Sequence, residues 1–337
     1  MSLFRTELRR LAKRRFTRWM TAGGLLILAL VMVGLFVTNE KIGTEQWAEA
    51  RRAADSSHAE QVRWAEQERA NCERAKAAGE DVEYYPADCA AIAPPAREDI
   101  QDEWYLPSTF VFKSSVPDML VTLAGILAMV GFVVGASFIG AEWNTGGMMN
   151  LLLWRPKRLS VLLTKLGALL TGMLAVALTA SVAWFGILWL IASWRGTTDG
   201  MTSGVWQSFL LTGLRGVVLV LVAATVGFAL ASLGRHTAMA LGGAVAVIVV
   251  GQAGLAILLD LAQVRFGEAW LLPTYVYAWM TKTLTLEDWR SCNASYTGEC
   301  NPATLDITWQ HSSILFTVAV VLFLGGALWT LRRRDIT

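Results

Sequence analysis

Six long apolar runs constrain this chain more than any other feature. They cover residues 19–37, 117–141, 166–194, 209–233, 238–259 and 312–331. Each run is close to or longer than the roughly 20 residues that a helix needs to cross the hydrocarbon core of a bilayer. The chain is 54% hydrophobic and only 17% charged, which is too apolar for a soluble protein of this length. The sequence therefore predicts an all-α polytopic membrane protein with six transmembrane helices.

Residues 1–38 predict an N-terminal amphipathic interfacial helix followed by the first span. Phe4, Leu8 and Leu11 fall on one helical face, and the other faces carry Arg5, Arg9, Arg10, Lys13, Arg14, Arg15 and Arg18. Such a helix lies on the membrane surface, where anionic membrane lipids attract each cation by roughly 1 kcal/mol. The run at 19–37 is long enough to span and lacks a small-x-small cleavage site, so we expect a retained span rather than a signal peptide.

Residues 39–116 predict a large helical extracellular insertion between spans one and two. Residues 44–79 are dense in Ala, Glu, Arg and Gln, with opposite charges such as Glu60 and Arg63 at helical spacing. The apolar face of this helix is thin, which is typical of a helix surrounded by water. No nucleophile or carboxylate–histidine arrangement predicts a catalytic site here.

Small residues one helical turn apart recur within the apolar runs. Gly131 and Gly135 form a GxxxG pattern, and Gly227 with Ala231 repeats the spacing. Small residues at this spacing let two helix backbones approach closely in a membrane. We expect close helix packing at these positions.

The distribution of Lys and Arg predicts that both termini are cytoplasmic. Cations next to the predicted inner ends of the spans are Arg5, Arg9, Arg10, Lys13, Arg14, Arg15, Arg18, Arg155, Lys157, Arg158, Lys165, Arg235, Arg332, Arg333 and Arg334. Loops with such an excess of cations stay in the cytoplasm. We therefore expect a multi-pass protein of a bacterial-type plasma membrane. Its predicted divisions are 1–38, the insertion 39–116, spans two to five at 117–259, an extracellular or re-entrant loop at 260–311, and the sixth span with a basic cytoplasmic tail at 312–337.

The four cysteines all fall in the two segments that this topology places outside the cell. Cys72 and Cys89 follow the first span, and Cys292 and Cys300 precede the last. An oxidising exterior favours disulfides, and the simplest of the three possible pairings joins Cys72 to Cys89 and Cys292 to Cys300. Metal binding is the alternative, although neither pair has CxxC spacing or nearby histidines.

A polar and basic stretch at 140–165 separates the second and third apolar runs. An apolar strip at 151–154 ends in the sequence Arg-Pro-Lys-Arg at 155–158. This pattern favours a short amphipathic helix on the membrane surface, with its leucines turned inward and its cations in water. An ordinary positive-inside loop is the alternative interpretation.

The same stretch resembles the cytoplasmic coupling segment of ABC transporter permeases of the type-2 exporter family. The residues that carry the resemblance are Gly140, Glu142, Trp143, Gly146, Trp154, Arg155, Pro156, Arg158 and Lys165. In that family the segment docks on a separate ATPase. The resemblance therefore implies a coupling segment at 142–165 and ATPase-coupling roles for Glu142, Trp143, Asn144, Arg155, Pro156, Lys157 and Arg158.

The resemblance also implies the partners. They are two cytoplasmic ABC ATPase subunits and a second permease copy or homologue, which together move an amphipathic, drug-like, peptide or lipid-like substrate outward. Charge reversal at Glu142, or at Arg155 and Arg158, is then expected to uncouple ATP hydrolysis while leaving the fold intact. The long first outer loop departs from the family pattern and leaves the role of residues 39–116 open.

The chain lacks the motifs of an enzyme. It contains no GxxxxGK[ST] phosphate loop, no HExxH and no GxSxG. We therefore expect a non-catalytic subunit with no cofactor of its own, with ATP and Mg held by the partner ATPase. The net charge is only +2 and no nucleic-acid-binding signature is present, so no nucleic acid partner is expected. The alternative function is a membrane scaffold or sensor whose extracellular loops bind a ligand or partner without transport.

Overall fold

The computed structural model describes residues 3–79, 85–86, 88–148, 158–289 and 301–333. Its helices are α1 (Leu3–Lys13), α2 (Arg15–Thr38), α3 (Thr44–Ala78), α4 (Phe112–Asn144), α5 (Arg158–Arg195), α6 (Ser203–Gly234), α7 (Thr237–Ala246), α8 (Leu255–Leu261), α9 (Leu272–Thr281) and α10 (Trp309–Arg333). A π-helical stretch, Val247–Gly254, joins α7 to α8 in one continuous span. The π-helical turns place the Gln252 side chain where its Oε1 accepts a hydrogen bond from the backbone N–H of Leu272, at 2.5 Å.

Six of these helical segments are long and apolar enough to cross a membrane. They are α2, α4, α5, α6, the continuous α7–α8 span and α10. The predicted multi-pass helical membrane protein is thereby confirmed. Several helices continue past the ends of the apolar runs: α4 begins at residue 112 rather than 117, and α5 begins at residue 158 rather than 166. Hydropathy marks only the part of a helix that crosses hydrocarbon, whereas backbone hydrogen bonding continues through the polar ends.

The core of the helical bundle lies between α4 and α6. A Cβ atom at Gly135 would stand 2.3 Å from the carbonyl oxygen of Ala224, and one at Gly227 would stand 2.2 Å from the carbonyl oxygen of Phe132. Only glycine permits such close backbone contact, so the expected small-residue packing is confirmed at these positions. By contrast, nothing in the described structure lies within 4 Å of a Cβ at Gly242, in α7.

The chain divides into two compact units. The first contains Met1–Met32, Lys113–Trp189 and Gly200–Thr337, and the second contains Val33–Phe112 and Leu190–Asp199. In the second unit, α3 confirms the helix predicted at 44–79. The disulfide between Cys72 and Cys89 is also confirmed, with their Cα atoms 5.9 Å apart. Cys292 and Cys300 lie outside the described residues.

An arginine at the start of a short 3-10 turn, Arg97–Asp99, ties the second unit together. Arg97 lies 2.7 Å from the carboxylates of both Asp55 and Asp102, and its Nη1 donates to the carbonyl oxygen of Ile100. The hydrogen bond from Arg97 lowers the pKa of Asp102 below its ordinary value. The loop after α3 is therefore held along that helix by a disulfide and by ion pairs rather than by a large apolar core.

The structure also contains short strands, which the predicted all-helical class did not include. In the first unit, β3 (Thr283–Asp288) pairs antiparallel with β4 (Ala303–Thr308), and Leu286 and Ile307 pack on Ala278 of α9. In the second unit, β1 (Phe110–Val111) pairs in parallel with β2 (Gly196–Thr197). Alternation of threonine or acidic residues with aliphatic ones favours an extended chain in β3 and β4. The segment predicted as an extracellular or re-entrant loop thus contains a helix and two paired strands.

Candidate functional site: a buried ion cluster at the end of the second span

Four of the seven predicted coupling residues lie at the two helix ends next to residues 145–157. Glu142, Trp143 and Asn144 form the last turn of α4, and Arg158 is the first residue of α5. The other three, Arg155, Pro156 and Lys157, lie outside the described residues. Their docking roles therefore stay a prediction, and the structure describes only what surrounds the helix ends.

Glu142 points into the protein, toward a lysine on α5. Its Oε2 lies 2.7 Å from Nζ of Lys165, and its side chain is only 14% exposed. The Lys165 side chain is fully buried. This contact is an ion pair at short distance.

The amphipathic helix α1 supplies the second carboxylate of the cluster. Oε1 of Glu7, whose side chain is 1% exposed, lies 2.9 Å from Nζ of Lys165. Arg10, one turn later, places Nη1 3.5 Å from Oε1 of Glu7 and 3.5 Å from Oε1 of Glu142. One ammonium and one guanidinium thus bridge two carboxylates, and the four groups come from α1, α4 and α5.

Arg14, the single residue between α1 and α2, attaches the end of α1 to the backbone of α4. Its Nη1 donates hydrogen bonds to the carbonyl oxygens of Ser137 and Phe138, at 3.2 and 3.1 Å. The Phe138 ring also faces the charges of Arg14 and Lys165, at 5.8 and 5.7 Å from its centroid. Burial lowers the pKa of Arg14, and the neighbouring Glu142 carboxylate opposes that shift.

The apolar face of α1 positions Glu7 by packing on α5. Leu11 is buried against Gly172, where a Cβ atom would stand 2.6 Å from Leu11 Cδ2. Phe4 lies over Gly167 in the same way, where a Cβ atom would stand 3.7 Å from Phe4 Cε2. The structure contains a helix at the predicted place, and its leucines contact the third span. This contact brings the Glu7 carboxylate to Lys165.

The fourth and fifth spans meet α4 beside the ion cluster. The guanidinium of Arg235, which follows α6, stacks over the Trp143 ring at 5.1 Å. A Cβ atom at Gly140 would stand 2.7 Å from the backbone nitrogen of Thr237, the first residue of α7. The ion cluster is therefore enclosed by helices at one end of the bundle, where several of the Lys and Arg residues of the orientation argument gather.

The cluster depends on its charges being complete. Removal of one partner from a buried ion pair typically costs ~3–5 kcal/mol, because it leaves another charge buried without compensation. Charge reversal at Glu142 would set a second cation next to the ammonium of Lys165. The expectation that such a variant keeps its fold is therefore at odds with the burial of this carboxylate.

Sequence reasoning did not find the partners of Glu142, although two signals were present. Glu7 is the only acidic residue in the first 38 and stands one turn before the buried Leu11. Lys165 is flanked at helical spacing by the buried residues Val161, Leu162, Ala168 and Leu169. An isolated charge on an apolar helical face indicates a buried ion pair, because an unpaired charge is too costly there.

Comparison of the chain with family models, with curated proteins and with solved structures found no match.

Proposed function

We propose that this chain is the transmembrane permease subunit of an ATP-driven exporter of the ABC type. A separate pair of cytoplasmic ATPase subunits would supply the energy, with ATP and Mg bound in those subunits, and this chain would be non-catalytic. A second permease copy or homologue would complete the pathway for an amphipathic, drug-like, peptide or lipid-like substrate. Both termini and the stretch 145–157 would face the cytoplasm of a bacterial-type cell.

The observation that carries the proposal is the ion cluster on both sides of this stretch. Glu142 ends the helix before it and Lys165 lies two turns into the helix after it, and their charges are 2.7 Å apart. Because both are also tied to α1 through Glu7 and Arg10, a force applied to the stretch would move three helix ends together. A surface that receives motion from a partner needs such a stiff connection.

Charge reversal in the basic stretch tests the proposal. The chain is purified from its native host in mild detergent, and ATP hydrolysis that co-elutes with it is measured. We expect the variant Arg155→Glu/Arg158→Glu to lose this activity while keeping its membrane yield and helical content. The variant Arg332→Glu/Arg333→Glu carries the same change of charge at the end of α10 and is expected to keep it.

Two outcomes would contradict the proposal. One is a wild-type chain that never co-purifies with ATP hydrolysis. The other is equal loss of hydrolysis in both variants, since that would indicate general attraction by cations rather than docking at the basic stretch.

A membrane scaffold or sensor is the second candidate function. It is favoured by the construction of the second unit, in which the disulfide and the Arg97 ion pairs hold a loop along α3. Trp64 on that helix and Trp104 in the loop are both exposed. Exposed tryptophans on a firmly held surface are typical of binding sites. A scaffold would show no ATP hydrolysis that depends on Arg155 and Arg158, so the same experiment separates the two functions.

A further inference from the structure

The face of α1 that points away from α5 contains an open, strongly cationic cavity. It has a volume of about 350 Å³ and is lined by Thr6, Arg9, Arg10, Lys13 and Arg14. Thr6, Arg9 and Lys13 lie on the side of the helix opposite to Leu8 and Leu11, which pack against α5, whereas Arg10 and Arg14 border the cavity on the side of α4. Four cations and one threonine of a single helical segment therefore border an open space at the surface.

Two of these cations are available to a ligand. Arg9 and Lys13 are exposed, and neither has an ion-pair partner among the residues that the structure describes. Arg10 is 58% exposed although it contacts Glu7 and Glu142. Arg14 is anchored to carbonyl oxygens of α4 and borders the cavity. A guanidinium and an ammonium on neighbouring turns of one helix, as in Arg9 and Lys13, match the oxygens of a phosphate group.

The position of the cavity indicates where such a phosphate would come from. Only Arg14 separates α1 from α2, so the cavity lies within about three turns of a membrane-spanning helix. The glycines on which α1 packs, Gly167 and Gly172, belong to the first turns of the third apolar run. The short connection to α2 and the packing on Gly167 and Gly172 both place α1 at the level where a bilayer presents its headgroups.

We infer that this cavity is a binding site for the phosphate of an anionic membrane lipid. The inference does not depend on the proposed export function. It differs from a general attraction of basic residues to a charged surface, because it assigns the interaction to Arg9 and Lys13 and not to other exposed cations nearby.

The test compares two double variants of the full-length chain in neutral detergent. Arg9→Gln/Lys13→Gln removes two cations that line the cavity, and Arg5→Gln/Arg15→Gln removes two exposed cations that do not. Arg10 and Arg14 are left unchanged, because their loss would also disturb the ion cluster. Each protein is titrated with phosphatidylglycerol, phosphatidylcholine or inorganic phosphate, and the rise in unfolding temperature gives the half-saturating concentration.

We expect phosphatidylglycerol to stabilise the wild-type chain more than the other two ligands do. In the Arg9→Gln/Lys13→Gln variant the half-saturating concentration should rise roughly thirtyfold, since two surface cations are lost. The Arg5→Gln/Arg15→Gln variant should remain close to wild type.

Any of three results would overturn the inference. Equal weakening in both variants would show a diffuse surface charge rather than a site. Equal stabilisation by inorganic phosphate would show a site for a free anion. Equal stabilisation by phosphatidylcholine would show that the lipid acts through its chains and not through a negative headgroup.

Discussion

Replacement of Lys165 by methionine removes the central charge of the ion cluster. Methionine approximates the length of the lysine side chain, so the packing against Val161 and Leu169 is largely retained. The change leaves the carboxylates of Glu7 and Glu142, which are 1% and 14% exposed, without the ammonium that lies 2.9 and 2.7 Å from them. Arg10 can compensate only in part, because its guanidinium is 3.5 Å from each.

The expected loss in the free energy of unfolding is ~3–5 kcal/mol, the usual cost of an uncompensated charge in a buried pair. The measurement is a denaturation titration of the detergent-solubilised protein, followed by tryptophan fluorescence. Lys113→Met is the matched control, because Lys113 is exposed at the start of α4. A substitution at such a site should change the free energy of unfolding by no more than ~0.5 kcal/mol.

A rescue variant separates charge from packing. If buried charge is the cause, Glu7→Gln/Glu142→Gln/Lys165→Met should recover most of the stability that Lys165→Met alone loses, since the one charge left in the cluster is that of Arg10, which is 58% exposed and open to water. A triple variant as unstable as the single one would refute this reasoning. So would a Lys165→Met protein that unfolds at the same denaturant concentration as the Lys113→Met control.

Three further predictions concern other parts of the chain. Gly135→Leu should lower the unfolding temperature, because its side chain would enter the backbone of α6, whereas Gly242→Leu should leave it nearly unchanged. Cys72 and Cys89 should resist alkylation until a reductant is added, and reduction should make residues 39–112 more sensitive to protease. The pKa of Asp102 is held below its ordinary value of 3.8 by a neighbouring guanidinium, so its contribution to loop stability should be present at neutral pH and lost under strong acid. Hydrogen exchange of the loop as a function of pH measures this, and Asp102→Asn should flatten the profile.

Each of these predictions can fail separately. Equal effects of the two leucine substitutions would contradict the close packing of α4 and α6. Alkylation of Cys72 or Cys89 in the native protein without reductant would contradict the disulfide. Loop exchange that is protected equally in acid and at neutral pH would contradict the ion pair as a source of loop stability.

The sequence predicted the helical spans well because apolar runs of sufficient length have only one structure available in a bilayer. It also predicted α1, α3 and the Cys72–Cys89 bridge, since each depends on a local pattern. The strands β3 and β4 were missed, because each is only six residues long and no short turn joins it to its partner in the sequence. Short alternating segments of this kind give a weak signal.

The candidate site was predicted only in part for a different reason. Glu142 was selected from the sequence, but the direction of its side chain was not predicted. A carboxylate at a helix end can face water or a buried partner, and tertiary contacts decide between the two. Its partner Glu7 is distant in sequence from both Glu142 and Lys165. Only the packing of α1 on α5 brings the Glu7 carboxylate to Lys165 and Glu142. The positions of Glu7 and Lys165 on apolar helical faces indicate that both charges are buried. They do not indicate which other charge each of them pairs with.

Photo-cross-linking in native membranes tests the central claim most directly. A photoreactive amino acid is placed at position 155, within the basic stretch, and as a control at position 289, where Trp289 is exposed beyond β3. We expect a covalent adduct with a nucleotide-binding protein from position 155 and none from position 289. An adduct with that protein from position 289, or no adduct with it from position 155, would show that no ATPase docks on the basic stretch.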